Sequence, residues 1–168
     1  QIGLQMAALA RAYGLKYDIS SSETDRIYGS DWPKFLMSGK AMLGVEGGAS
    51  IFDFDGSIHS AVNGYLKKNP TANFDEVWEK VLKIHEGNID FRTITPKFFE
   101  AMATRTALLL YPGKYNDILV PERHFIPLER DGSNIDDVVK RLKDHDFLQS
   151  MTNRTYEEIL TKHEFSVR

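Results

Sequence analysis

The 168-residue chain has no cysteine. That excludes disulfides and thiolate metal sites, and it suits a cytoplasmic protein. No apolar run approaches the roughly 20 residues of a membrane span. An excess of one charge is missing too: 21 Lys and Arg stand against 24 Asp and Glu, a net of −3. Such a balance gives no electrostatic footprint for nucleic acid or an anionic membrane. Repeats, low-complexity tracts and clear linkers are absent as well. His59, His85 and His124 lie far apart without ligand spacing, so no metal or other cofactor is expected. What remains is 42% hydrophobic and 27% charged, a globular composition long enough to bury one sizeable core.

Along the chain, "IGLQMAALARAY" carries Ile2, Met6, Leu9 and Tyr13 at helical spacing, with Gly14 suited to the position past a helix end. "KYDIS" is a short strand candidate. "DWPKFLMS" predicts a helix from Asp31 as N-cap, with Pro33 in its first turn, to about Ser38. "AMLGV" over 41–45 reads as a buried strand and "EGGAS" as a Gly-rich turn. "IHSAVNGYLKK" predicts a helix. So does "FDEVWEKVLKIH", with Asn73 as N-cap and Glu76 completing a capping box. Thr95 and Pro96 open another helix, and "TALLLYPG" is a buried strand ending in a turn. "HFIPL" follows as a short strand. "SNIDDVVKRLKDHDFL" predicts a helix with acidic residues first and basic ones last, matching the helix dipole. A closing helix is expected over about 146–164. The alternation of strands and helices, with continuous apolar strands, predicts an α/β domain: a Rossmann-like parallel sheet covered on both faces. Ligands of such folds sit beyond the carboxyl ends of the strands. The loops after Val45 and Tyr111, and the helix start at Thr95, are therefore the places to look.

"ASIFDFDGSI" raises one chemical possibility. An apolar pair running into Asp53-Phe-Asp55-Gly-Ser resembles the nucleophile motif of haloacid-dehalogenase-type phosphatases. There Asp53 would attack a phosphate, Asp55 would protonate the leaving group, and Mg²⁺ would be held by further acidic residues. "RDGSNIDD" offers such residues and Lys114 a lysine. The strand before Asp53 is interrupted by "EGGAS", however, and "ALLLYPG" ends without the Ser or Thr such an enzyme needs. Asp53 and Asp55 read more simply as turn formers leading into the helix at Ile58.

A longer stretch, "TPKFFEAMATRTALLLYPGKYNDIL", resembles the signature of family 4-type glycosyltransferases, whose pattern runs roughly "EGFGLPALEAMACGTPVV". "IYGSDWPKFLMSGKAMLGVEGG" resembles the part before it and "ILVPERHFIPLERDGSNIDDVVKRLKD" the part after, so the likeness covers roughly 26–160. It implies one half of a GT-B fold: the C-terminal domain, which binds a nucleotide-diphosphate sugar. The partner would be an N-terminal acceptor-binding domain of the same enzyme. The chain opens at Gln1 within a helical pattern and is read as a C-terminal piece of something longer, with the family's first strand before it. Residues 1–168 would be one domain carrying a helical insertion at about 52–91.

Residue by residue, the resemblance puts the ribose hydroxyls on Glu100 and the base against Tyr28. The diphosphate would lie at the helix start of Thr95, with Lys97 and Arg92 adding charge. The family's first glutamate, eight residues before the second, is Arg92 here. Glu46 in "EGG" and Glu86 in "EGN" are the replacements available. Glu46 follows a strand directly and takes the catalytic, sugar-contacting role, with Gly47 and Gly48 beside it. A module of this fold that only mediates assembly is the non-enzymatic alternative.

Overall fold

The computed structural model describes residues 2–162. The chain forms two compact units: one from residues up to Glu46 together with those from Ile94 onward, the other from Gly47–Thr93.

The larger unit is α/β. Its sheet joins β1 (Ala41–Gly44), β4 (Ala107–Leu110) and β5 (Ile126–Pro127) in the order β1-β4-β5, all parallel. The central strand β4 is buried throughout, as the run "ALLL" requires of a strand covered on both sides. Alternation along β4 then sorts the core. Ala107, Leu109 and Tyr111 join Met6 of α1 (Ile2–Ala12), Val138 of α6 (Ile135–Lys143) and Met151 of α7 (His145–Lys162). Leu108 and Leu110 join Leu36 of α2 (Asp31–Ser38) and Phe98, Ala101 and Met102 of α5 (Pro96–Ala103). Fully burying a Leu or Phe contributes about 1.5–3 kcal/mol, so this two-sided stack around one four-residue strand is the main apolar stabilisation of the unit.

The smaller unit pairs β2 (Gly47–Ala49) with β3 (Phe91–Thr93) in an antiparallel ladder. Between them run α3 (Ser57–Lys68) and α4 (Phe74–Val77), which continues as a π turn over Trp78–Leu82 and a 3₁₀ turn over Lys83–His85. The capping box forms as its sequence requires: Asn73 Oδ1 accepts from the Glu76 N–H, and Glu76 Oε2 accepts from the Asn73 N–H, both at 3.0 Å. Among the described residues, no helix is long and apolar enough to cross a membrane.

Several elements differ from the sequence expectation. "KYDIS" is not a strand; Ile19 lies against Gly3 of α1 instead. The N-cap of α2 is Ser30, while Asp31 sits inside the helix and pairs with Lys34 at 2.9 Å. "EGGAS" is no simple turn, because Gly47–Ala49 is β2. A Cβ on Gly48 would stand 2.0 Å from the Phe91 carbonyl oxygen, so only glycine admits this approach of the two strands. The helix with a basic last turn is α6, which ends at Lys143 as expected, and the Asp144 side chain accepts the Phe147 N–H at 2.9 Å where α7 begins. The last two residues of the expected closing helix lie outside the described residues.

One buried polar pair sets an acid limit on stability. His124 is 8% exposed. Its Nδ1 accepts the Val120 N–H at 2.9 Å, which leaves Nε2–H to donate to Glu158 Oε2 at 3.1 Å. Burial holds the imidazole below its ordinary 6.5, against the pull of Glu158 and with help from Arg123 and Arg154. Burial alone would raise the Glu158 carboxyl, but hydrogen bonds from Arg123 and His124 bring it down to about 2. The unfolded chain therefore binds more protons than the folded one, and both groups act in the same direction. Stability should fall as pH drops below 6.5, where unfolded His124 charges, and fall again from 4.5 towards 2 as Glu158 is protonated. Thermal unfolding from pH 7 to 3 checks this; Glu158→Gln should flatten the lower limb.

Candidate functional site

In a strand–helix–strand crossover the helix runs against its parallel strands, so its N-terminus meets their carboxyl ends. Here β1, α5 and β4 form that crossover, and three chain segments meet at its carboxyl edge. Glu46 stands two residues past β1, Ile94 and Thr95 lead into α5, and Tyr111–Asp117 follows β4. Glu46 Oε1 accepts the Tyr115 N–H at 2.6 Å, and Asn116 Oδ1 accepts the Ile94 N–H at 2.6 Å. Tyr115, Asn116 and Asp117 hold φ of 47°, 55° and 57° in succession. Left-handed backbone costs about 1–3 kcal/mol for a residue with a side chain, so a run of three persists only because its surroundings fix it.

The anchors are visible. The Tyr115 ring is fully buried, edge-on to Phe98 at 5.7 Å and to Phe125 at 5.4 Å. Its hydroxyl donates to the Tyr111 carbonyl at 2.6 Å, and burial pushes the phenol up to about 12. Gly113 is needed where the loop closes, since a Cβ there would meet the Tyr115 ring at 2.9 Å and Glu46 Oε2 at 3.1 Å. Strain of this kind concentrates at ligand clamps and active sites.

At the start of α5, Pro96 occupies the first turn and Thr95 makes no capping bond. The Thr95 hydroxyl is buried with no hydrogen-bond partner. Buried polar atoms normally find one. The helix start thus keeps donor capacity for an anion or a hydroxyl. One turn further in, Glu100 is exposed, and its Oε2 accepts the Trp32 indole N–H at 2.6 Å. Lys97 is exposed with its Nζ 5.7 Å from the centre of the Phe98 ring. Tyr28 is 67% exposed in the turn before α2, where its carbonyl accepts the Asp31 N–H at 3.3 Å.

The larger unit therefore carries Glu46, Tyr28, Thr95, Lys97 and Glu100, of which Glu46 and Thr95 stand at the carboxyl edge. Gly47, Gly48 and Arg92 belong to the β2–β3 ladder of the other unit. Arg92 Nε pairs with Asp90 at 2.7 Å. In that unit Asp53 caps α3: Oδ1 accepts from the Gly56 and Ile58 N–H groups and Oδ2 from His59, at 3.0, 3.3 and 2.9 Å. The His59 bond, followed by those from Ile58 and Gly56, lowers its carboxyl below the ordinary range. Asp55 accepts the Ser57 N–H at 2.9 Å. Both carboxylates thus serve the turn and helix start that "DFDGS" encodes.

A cavity of about 370 Å³ opens against α7, lined in part by Met102, Leu119, His124, Glu158 and Ile159. Glu46, Thr95, Lys97 and Glu100 do not line it, but Asp117 at the end of the left-handed turn does. In it Glu158 is bound by Arg123, His124 and Lys162.

Sequence reasoning missed Trp32, Asn116 and the left-handed turn. Asn-Asp after Pro-Gly is a turn signal with a tolerance for positive φ. Nothing in a tyrosine announces it, and Trp32 meets Glu100 across 68 residues with no periodic signature. In comparisons with known proteins, no protein-family model, no curated protein and no solved structure matches the chain.

Proposed function

We propose that this chain is the nucleotide-sugar-binding, Rossmann-like domain of a GT-B glycosyltransferase. The whole enzyme would transfer a sugar from a nucleotide diphosphate, in the cytoplasm, to an acceptor held by an N-terminal domain. The observation that carries the reading is the start of α5: an uncapped helix N-terminus with an orphaned Thr95 hydroxyl at the carboxyl edge of a parallel sheet. Helix N-termini bind phosphate through free N–H groups and the helix dipole; here Pro96 has no N–H and the Phe98 N–H donates to the Thr95 carbonyl at 3.0 Å, so the dipole and the Thr95 hydroxyl carry the attraction. Lys97 adds a cation one residue into the helix.

Glu100 supplies an acceptor-only group suited to a pair of ribose hydroxyls. Tyr28 offers an exposed ring for the base. Glu46 holds the Tyr115–Asp117 turn beside the diphosphate position and would act on the sugar from there. Gly47, Gly48 and Arg92, which the resemblance also assigns to the donor, belong to the other unit. Arg105 adds support: it adopts φ 54° just past α5, where the "EAMACGTPVV" pattern has glycine, the residue that best tolerates that conformation.

Calorimetric titration with UDP- and GDP-sugars tests the proposal. The expected result is saturable one-to-one binding of one of them. Glu100→Gln should weaken it roughly ten- to a hundredfold, the equivalent of losing charge-assisted hydrogen bonds of about 1.5–3 kcal/mol. A chain that binds none at millimolar nucleotide leaves the assembly module as the better description.

A further inference from the structure

Glu100 does not stand alone on the surface. The indole that binds its Oε2 is half-buried, stacks on Phe35 with ring centres 5.9 Å apart, and packs against the core that contains Leu36, Phe98 and Met102. The donor is therefore fixed and the acceptor is the mobile partner. An exposed glutamate ordinarily samples several rotamers, and fixing one of them on binding costs conformational entropy. Trp32 has selected the rotamer before any ligand arrives. It also divides the carboxylate: Oε2 faces the indole, and Oε1 is left to accept from something else.

We propose that Trp32 is a positioning residue. It presents the free edge of Glu100 to the vicinal hydroxyls of a ribose, so that the site selects ribonucleotides over 2′-deoxyribonucleotides. This rests on the nucleotide-sugar reading above. It carries a consequence that a purely structural helix–helix contact lacks. A glutamine at position 100 has one accepting and one donating end, and the indole N–H can bond only the accepting one. In Glu100→Gln the amide NH₂ is thereby turned towards the ligand, where an acceptor is needed. Without the indole the amide is free to flip, and the loss shrinks.

The test uses the full chain and titrates UDP, GDP and their 2′-deoxy forms into the wild type, Trp32→Phe, Glu100→Gln and the double variant. Trp32→Phe should weaken the bound ribonucleotide roughly three- to tenfold, for lost preorganisation, and weaken its deoxy form, which keeps only the 3′-hydroxyl, by less. The Glu100→Gln penalty should be smaller in the Trp32→Phe background. Equal losses for ribo- and deoxynucleotide, or additive penalties, overturn the proposal.

A second readout needs no nucleotide. The chain has two tryptophans, so Trp78→Phe assigns both indole N–H resonances. That of Trp32 should move upfield in Glu100→Ala, whose exposed position leaves α2 intact. An unmoved resonance refutes the pair itself. A resonance that moves in a chain binding no nucleotide refutes instead the nucleotide reading, and with it the role given to Trp32.

Discussion

Gly44→Ala is expected to destabilise the larger unit by about 3 kcal/mol or more, at the upper end of overpacking penalties. Gly44 is the last residue of β1 and pairs with Leu110 in the parallel ladder. A Cβ there would stand 2.3 Å from Phe98 Cε1, 2.7 Å from Phe98 Cζ and 2.9 Å from Leu110 Cδ2. None of these neighbours can retreat cheaply. Phe98 and Leu110 are both fully buried, and Phe98 is locked edge-on against Tyr115. The added methyl must push the ring into Tyr115 or pry β1 from β4. Either movement reaches the carboxyl edge, so nucleotide binding should fall along with stability. Urea unfolding followed by circular dichroism checks the expectation, and a midpoint like that of the parent would contradict it.

The second large effect separates two roles at Glu46. Its carboxylate holds the Tyr115 N–H at 2.6 Å, and Tyr115 opens the left-handed run. Glu46→Ala removes the acceptor and leaves a buried backbone donor unsatisfied, a cost of about 1–3 kcal/mol. The strained turn loses one side-chain latch and keeps Asn116 on Ile94 and the Tyr115 hydroxyl on the Tyr111 carbonyl. Glu46→Gln keeps an amide oxygen for the same N–H and should preserve most of the stability. If Glu46 also acts on the donor sugar, the two variants part company. Glu46→Ala should lose both stability and transfer, whereas Glu46→Gln should fold well and transfer poorly in the enzyme that contains the acceptor domain. Hydrogen exchange of the Tyr115 amide reads the latch, fast in the first variant and slow in the second. Equal protection in both would leave Glu46 without the latch role.

The sequence made the larger unit's layers legible because their signals are local and redundant. "ALLL" is apolar on every residue, as only a strand covered on both faces needs to be, and β4 is that strand. The Asn73–Glu76 box and the helix start at Pro96 read correctly for the same reason, since each signal lies within four residues. The misreadings arose where long-range contacts decided. "EGGAS" has no strand-forming side chains, and Gly47–Ala49 became β2 because β3 lies more than forty residues on, with Gly48 admitting the Phe91 carbonyl. "KYDIS" has a strand's composition but lies against α1 rather than on a sheet edge.

The candidate site was half legible. Glu46, Thr95 and Glu100 could be named from their neighbours in sequence. What holds two of them could not. Tyr115 bonds Glu46 from 69 residues away, and Trp32 bonds Glu100 from 68. Neither contact follows a helical or strand period, so no pattern in a single sequence encodes them. Asp53 and Asp55 show the converse. In a motif that invites a nucleophile, both carboxylates accept backbone N–H groups two to six residues on.

The proposed nucleotide site lies where the carboxyl ends of β1 and β4 meet the start of α5. Amide ¹H–¹⁵N spectra recorded during titration with the UDP- or GDP-sugar that binds test it most directly. The largest shifts should fall on Glu46, Thr95, Lys97 and Gly113–Asn116, with the Trp32 indole moving alongside them. Residues around His124 and Glu158 should stay still. Shifts concentrated at the His124–Glu158 cavity, with the α5 start unmoved, would contradict it.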